Sequence, residues 1–309
     1  MLNFSKKLLV LAPLAGYTDL PFRSVVKKFG ADLTVSEMIS SNALVYNSKK
    51  TFKMIEKSPN ETPYSIQVAG NNKDIIKSAI KILNKINGID IIDLNCGCPA
   101  KKVINHGSGS ALLKDLKKLR EILAVMKETS TKKYLSAKIR IGFDDKNSVE
   151  IAKACEDGGV DFIAVHGRTK KDGYKRDKID YQAIKDIKQA VSIPIIANGE
   201  IDSYERANEV LDFTNADGLM IGRGAIGNPW IFYQIRNQKS KISEQLKRDI
   251  ILEHFDKMVE FYGDRGVILF RKHIHTYSKG LREASSFRNK INKISDKNLA
   301  KEEIDKFFK

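Results

Sequence analysis

Cys98 is the residue whose type and setting first suggest chemistry. It lies in Asp93-Leu94-Asn95-Cys96-Gly97-Cys98-Pro99-Ala100-Lys101-Lys102-Val103, just after a short apolar run, in a Gly-Cys-Pro turn that presents the side chain. A thiol of ordinary pKa, about 8.5, stays mostly protonated at neutral pH, so it can act as a general acid as well as a nucleophile. The other cysteines are Cys96 and Cys155. Cys-x-Cys with one distant partner and no nearby His pair does not match zinc-ligand spacing, and no metal is expected. Cys155 reads as packing in a helix, and Cys96 as a weaker candidate for the catalytic role.

Asn198-Gly199-Glu200 and Gly222-Arg223-Gly224 follow two later apolar runs. Glycine lets a backbone approach a phosphate, its N–H groups can donate to it, and Arg223 adds charge. Lys138 and His166 sit at the ends of neighbouring runs, where cofactor or substrate contact is expected.

These residues need elements that bring them together. Eight short apolar runs recur: 8–13, 33–36, 64–68, 91–94, 135–139, 162–165, 194–197 and 218–221. Between them lie stretches of helical periodicity, among them 20–29, 73–87, 115–128, 148–157, 181–189 and 203–211, with Asp115 and Ser148 as expected N-caps. Eight strands alternating with helices predict an α/β fold, a (β/α)8 TIM barrel. A doubly wound sheet is the alternative, but Pro13-Leu14-Ala15-Gly16-Tyr17-Thr18-Asp19 after the first run is not a dinucleotide fingerprint. In a barrel, all eight strand ends meet on one face, where such enzymes keep their active sites.

The alternation stops near Gln238, and a small all-helical C-terminal domain is expected, with residues 1–239 forming the barrel and 240–309 the helices. Between Arg265 and Lys293 eight basic residues stand against one acid, Glu283, with aromatic residues interleaved. A second basic stretch, Lys170-Lys171-Asp172-Gly173-Tyr174-Lys175-Arg176, falls in the loop after the sixth run. Together they predict a large polyanion contacting both the helices and the barrel mouth.

Composition fits this picture. The chain has 309 residues, 42% hydrophobic and 30% charged, which excludes a disordered or fibrous chain. With 54 Lys plus Arg against 38 Asp plus Glu, the formal net charge is +16. Three cysteines and the lack of a secretory leader at Met1–Ala12 lead us to expect a reducing, cytoplasmic setting. No apolar stretch approaches membrane-spanning length, so no membrane contact is expected, and a monomer is expected.

At this point the chain resembles the bacterial tRNA-dihydrouridine synthases, flavin-dependent enzymes that reduce uridine in tRNA. The matching segments are 12–19, Gln67-Val68-Ala69-Gly70, the Asn95–Val103 block, Lys138-Ile139-Arg140-Ile141-Gly142, His166-Gly167-Arg168-Thr169, Ile196-Ala197-Asn198-Gly199 and Met220-Ile221-Gly222-Arg223-Gly224-Ala225. Phe270-Arg271-Lys272-His273 is similar to the family's RNA-binding helices. The resemblance implies FMN as cofactor, NADPH as reductant and tRNA as partner. It implies that Pro13, Leu14 and Ala15 line the flavin ring, that Gln67 bonds its pyrimidine edge and that Lys138 lies near N1. It further implies His166, Asn198, Gly199, Glu200, Gly222 and Arg223 around the ribityl chain and phosphate. Asn95, Lys101, Arg168, Arg271 and Lys272 would contact substrate. Flavin would pass hydride to uracil C6, and Cys98 would protonate C5.

Three departures from the pattern stand out. Cys96 replaces a common methionine, Glu200 a common aspartate, and the loop 174–181 lacks an expected glycine and is one residue longer. Two other functions fit parts of the pattern. One is an RNA-binding barrel without reductase activity, and the other is a small-molecule FMN reductase. The first leaves Cys98 and Lys138 without a purpose, and the second does so for the basic helices.

Overall fold

The computed structural model describes residues 2–309. Nine strands form one parallel sheet: β1 (Leu8–Leu11), β2 (Leu33–Val35), β3 (Ile39–Ser40), β4 (Tyr64–Ala69), β5 (Ile91–Cys96), β6 (Tyr134–Arg140), β7 (Phe162–His166), β8 (Ile195–Asn198) and β9 (Gly218–Ile221). β2 pairs with β4 at Thr34↔Tyr64 and β1 with β9 at Leu8↔Gly218, so the sheet closes on itself. The eight-stranded barrel predicted from the apolar runs is present. β3 is an addition, a two-residue strand beside the end of β4 that the periodicity did not reveal.

Alternation along each strand sorts the side chains, because successive residues point to opposite faces. Leu8, Val10, Leu33, Val35, Ile91, Phe162, Ala164, Ile196 and Met220 form one buried cluster inside the barrel. Phe4 closes the amino-terminal end, its ring 5.7 Å from that of Phe162. The alternate set, including Leu9, Ile66, Ile92, Leu94, Ile139, Val165 and Ile221, packs against the surrounding helices.

The amino-terminal rim repeats one device. Asp32, Asp90, Asp161 and Asp217 each precede a strand, and their carboxylates accept from Leu9, Tyr64, Leu135 and Ile195 N–H at 2.7–2.9 Å. Each joins a strand start to its neighbour, satisfying a backbone donor that the ladder leaves open.

Helix starts follow side-chain capping. Asp19, Asn72, Asp115, Asp180 and Ser203 each accept from the backbone N–H three residues on. The expected cap at Ser148 is corrected, because Asn147 holds the cap position and Ser148 is the first helical residue.

Beyond the barrel come helices Glu244–Tyr262, Arg265–Tyr277, Ala284–Ile291 and Lys297–Phe307. They pack around their own cluster, including Phe255, Phe270, Ile274, Phe287 and Ile304. Phe22 of the barrel meets this region at the rings of His254 and His273, at 5.2 and 5.6 Å. Among the described residues, no helix is long and apolar enough to cross a membrane.

Candidate active site

The inward positions of the strands change character toward their carboxyl ends. Gln67, Asn95, Lys138, Arg140, His166 and Asn198 occupy that face and line a cavity of about 570 Å³. Pro13, Leu14, Ala15, Met38 and Met220 supply its apolar wall. Cys98, Gly199, Glu200, Gly222 and Arg223 complete it from the loops. The cofactor residues expected from the sequence and the expected acid therefore border one space.

The Cys98 turn is held from three sides. Asn95 Oδ1 accepts from Cys98 N–H at 2.9 Å, and Ser110 donates to the Cys98 carbonyl through both N–H and Oγ, at 3.1 and 3.0 Å. Arg140 Nε donates to Gly97 O at 2.8 Å. Gly109 has φ +62°, and a Cβ there would fall 2.9 Å from Cys98 O and 3.1 Å from Cys98 Cβ, so only glycine lets this segment press on the turn. Cys98 is half-buried at the cavity, and its thiol is free.

Beneath the turn runs a chain of oriented amides. Ser136 Oγ and Gln67 Nε2 donate to the Asp93 carboxylate at 2.6 and 2.7 Å. Gln67 Oε1 accepts from Asn95 Nδ2 at 2.7 Å. A carboxylate only accepts and a backbone N–H only donates, so Asp93 at one end and Cys98 N–H at the other fix both amides the same way. Gln67 and Asn95 each keep one N–H not used inside this chain. Burial raises Asp93 to about 6, while the bonds from Ser136 and Gln67 oppose the rise.

The far wall is cationic. Burial, and then Arg140, lower Lys138 to about 8. Its Nζ donates to Asn198 Oδ1 at 2.9 Å, and Asn198 Nδ2 donates to Met220 O at 2.7 Å. His166 is pushed well down by burial, then by Lys138, Arg140, Arg168 and Arg223, so its ring is neutral. Arg168 Nη1, a pure donor, lies 3.2 Å from His166 Nε2, which assigns the imidazole proton to Nδ1. Glu200 accepts from Arg168 and Arg223 at 2.7 and 2.5 Å and pairs with Arg176 at 3.7 Å. Arg176 pairs more closely with Asp202, at 2.6 Å, so three guanidinium groups meet two carboxylates and this end stays net positive. Gly199 has φ +125°, and a Cβ there would lie 2.4 Å from Ile179 Cδ1 and 3.1 Å from His166 Cδ2.

Several expected contacts go elsewhere. Arg168, expected on the substrate, is fully buried and donates to Lys175 O at 2.7 Å as well as to Glu200 and His166. Arg271 Nη2 donates to Ile294 O at 3.1 Å, within the helical region. Lys272 Nζ donates to Gly16 O in the loop after β1. None of these three borders the cavity. Lys101 is exposed at the start of the helix Lys101–Asn105, just after the Cys98 turn. Cys96 faces away from the cavity, is fully buried, and has its thiol pushed well up by burial.

Other residues at the cavity were not singled out one by one, although Tyr174 and Lys279 lie in the two basic stretches expected to meet a polyanion. Asp93 shares the inward face with Asn95, and a carboxylate inside an apolar run was the signal for it. Tyr174 stands at the mouth, with Arg140 and Arg223 over its ring at 5.3 and 5.0 Å. Lys279, from the turn after helix Arg265–Tyr277, also borders the cavity. Nothing local to Lys279 in sequence signals that reach.

A comparison of solved structures gives the fold alone. The 6-hydroxypseudooxynicotine amine oxidase HisD of Pseudomonas geniculata N1 covers 81% of this chain with TM-score 0.57 and 13% identity, over 50% of its own length. Sequence relatives go further. A probable tRNA-dihydrouridine synthase of Helicobacter pylori is 55% identical over 304 residues, covering 98% of this chain and 93% of that protein. The tRNA-dihydrouridine synthase B of Pseudomonas syringae is 42% identical over 310 residues, covering 97% and 91%. The dihydrouridine synthase (Dus) family model matches residues 10–309, from within the first barrel strand through the last helix. With barrel, cavity and helical region all inside that match, the chain belongs to the dihydrouridine synthase family.

Proposed function

We propose that this protein reduces uridines of tRNA to 5,6-dihydrouridine, using FMN held in the cavity and NADPH as reductant, with Cys98 as the proton donor. The observation that carries this reading is the placement of Cys98 and the Asn95–Gln67 pair on the same cavity as a net-positive wall. That donor set fits a flavin mononucleotide. Pro13, Leu14, Ala15 and Met220 offer an apolar wall for a ring system, and Gln67 has an N–H for a ring carbonyl. Lys138 offers a cation where a reduced ring gathers negative charge, and Arg223 with its neighbours suits a phosphate. Bound there, the flavin would supply hydride chemistry.

The chain's own residues account for the rest. Cys98 holds a proton for uracil C5 on a turn too constrained to swing away. Asn95 presents its remaining N–H to a uracil carbonyl, in an orientation set by Asp93 through Gln67. Arg140 keeps the Gly97 carbonyl, and so the turn, in place. Exposed Arg265, Lys279, Arg282 and Lys293 suit the phosphate backbone, and docking there should weaken steeply with salt. A target base must leave its stack to enter the cavity, at a cost of a few kcal/mol. Residues 240–309 act in this scheme as the RNA-docking domain.

The test is anaerobic. NADPH-reduced protein is mixed with unmodified tRNA transcript while flavin absorbance and dihydrouridine are followed. Rapid reoxidation with dihydrouridine formed is expected. Protein that binds tRNA without any flavin would replace this reading with the RNA-binding barrel.

A further inference from the structure

The loop after β1 carries the apolar wall of the cavity yet has little structure of its own. Pro13, Leu14 and Ala15 border the cavity, and the short turn that follows closes on Leu14, whose N–H donates to Thr18 Oγ1 at 2.8 Å and whose carbonyl accepts from Tyr17 and Thr18 N–H, both at 3.0 Å. Ala15 and Gly16 are exposed. The helical region grips this loop on both flanks. Lys272 Nζ donates to Gly16 O and lies 5.5 Å from the centroid of the Tyr17 ring. His273 meets the same ring edge-on at 5.6 Å. Tyr262 OH donates to Asp19 Oδ2 at 3.1 Å. From the barrel, Glu37 accepts from Gly16 N–H.

We infer that Lys272 is a positioning residue for the flavin-lining loop, and that the helical region shapes the cofactor wall as well as carrying RNA. The sequence alone suggested a phosphate contact for Lys272, and the geometry points to a different partner. An ammonium that donates to a backbone carbonyl and rests on an aromatic face is spending its charge inside the protein. Glu37 and Lys272 hold the two sides of Gly16, one on its N–H and one on its carbonyl. Removing the cation frees one side, and the Pro13–Ala15 wall, only a few residues away, gains room to move. This inference rests on the proposed FMN site.

The experiment uses full-length protein stripped of flavin, with FMN as the probe. Lys272→Met keeps the length of the side chain and removes the charge. The FMN dissociation constant is expected to rise about fivefold, the loss of one charge-assisted hydrogen bond acting indirectly. NADPH-driven flavin reduction in the absence of tRNA is expected to slow. Lys272→Arg, which restores a cationic donor, is expected to recover most of both. Tyr262→Phe removes only the hydroxyl on Asp19 and serves if Lys272→Met folds poorly; a smaller change in the same direction is expected.

FMN affinity and tRNA-free reduction equal to wild type in Lys272→Met and in Tyr262→Phe would overturn the clamp. In that case a salt slope for tRNA binding smaller by about one in Lys272→Met would identify a phosphate contact instead. Wild-type apoprotein that takes up no FMN would overturn the flavin reading and the clamp together. A wild type that binds FMN beside variants that bind it equally well would overturn the clamp only.

Discussion

The two ends of the barrel are made from the same eight strands and the same alternation, yet they are built for different ends. At the amino-terminal end the inward side chains are Leu8, Leu33, Ile91, Phe162 and Ile196, and four aspartates close the rim onto backbone N–H groups. At the carboxyl end the inward side chains are Gln67, Asn95, Lys138, Arg140, His166 and Asn198. Their polar atoms are partly satisfied within the protein and partly turned toward the cavity. One end spends its groups on stability and the other keeps some for a ligand, a division general to this fold. Variants at the two ends should therefore fail in different ways.

The largest effect is expected from Cys98→Ala. Uridine reduction should fall by about a hundred- to ten-thousand-fold, with FMN retained and Tm unchanged. Turnover at the wild-type rate would remove Cys98 as the acid. Phe162→Ala at the opposite end should do the reverse. It should cost about 3–5 kcal/mol in chemical denaturation, with kcat per folded molecule near wild type. A selective loss of kcat there would break the comparison.

Asp93 lies between the two ends and should show both failures. Asp93→Ala strips the acceptor from Gln67 and Ser136, costing about 1–3 kcal/mol, and frees both amides to turn. Stability and activity should fall together, and loss of stability alone would show that amide orientation does not matter.

Lys138 sharpens the comparison through pH. Its folded-state value of about 8 lies below the 10.5 of free lysine, so the folded apoprotein holds fewer protons than the unfolded chain between those values. Apoprotein stability should therefore rise with pH across about 8 to 10.5, and Lys138→Met should flatten that rise. FMN affinity should move the other way, falling as pH passes about 8 and the ammonium is lost. Melting curves and FMN titrations of the two proteins check both signs. The smallest effect belongs to Asp217→Ala on the amino-terminal rim, about 1 kcal/mol with no change in FMN affinity.

Much of this was written in the chain. The eight apolar runs gave the strands, because a buried parallel strand needs continuous apolar character. In a barrel the ends of these runs converge on one face, so that Lys138, His166 and Asn198 could be expected at one mouth. Glycine and polar residues after each run marked the loops. These are local properties, set by neighbours two to four residues away. The helical repeat after residue 243 was visible for the same reason.

What tertiary structure alone decided is where the long cationic side chains go. Arg168 looked available and is sealed against Glu200, 32 positions away, while Lys272 reaches Gly16 across 256 positions. Lys279 joins a cavity made almost wholly by the barrel. A long flexible side chain has no strong local preference, and its place is fixed by whichever distant acceptor the fold brings within reach. Cys96 and Cys98 make the same point at close range. Two residues apart, one is sealed against the helices and the other stands at the cavity, because β5 ends between them and the chain turns.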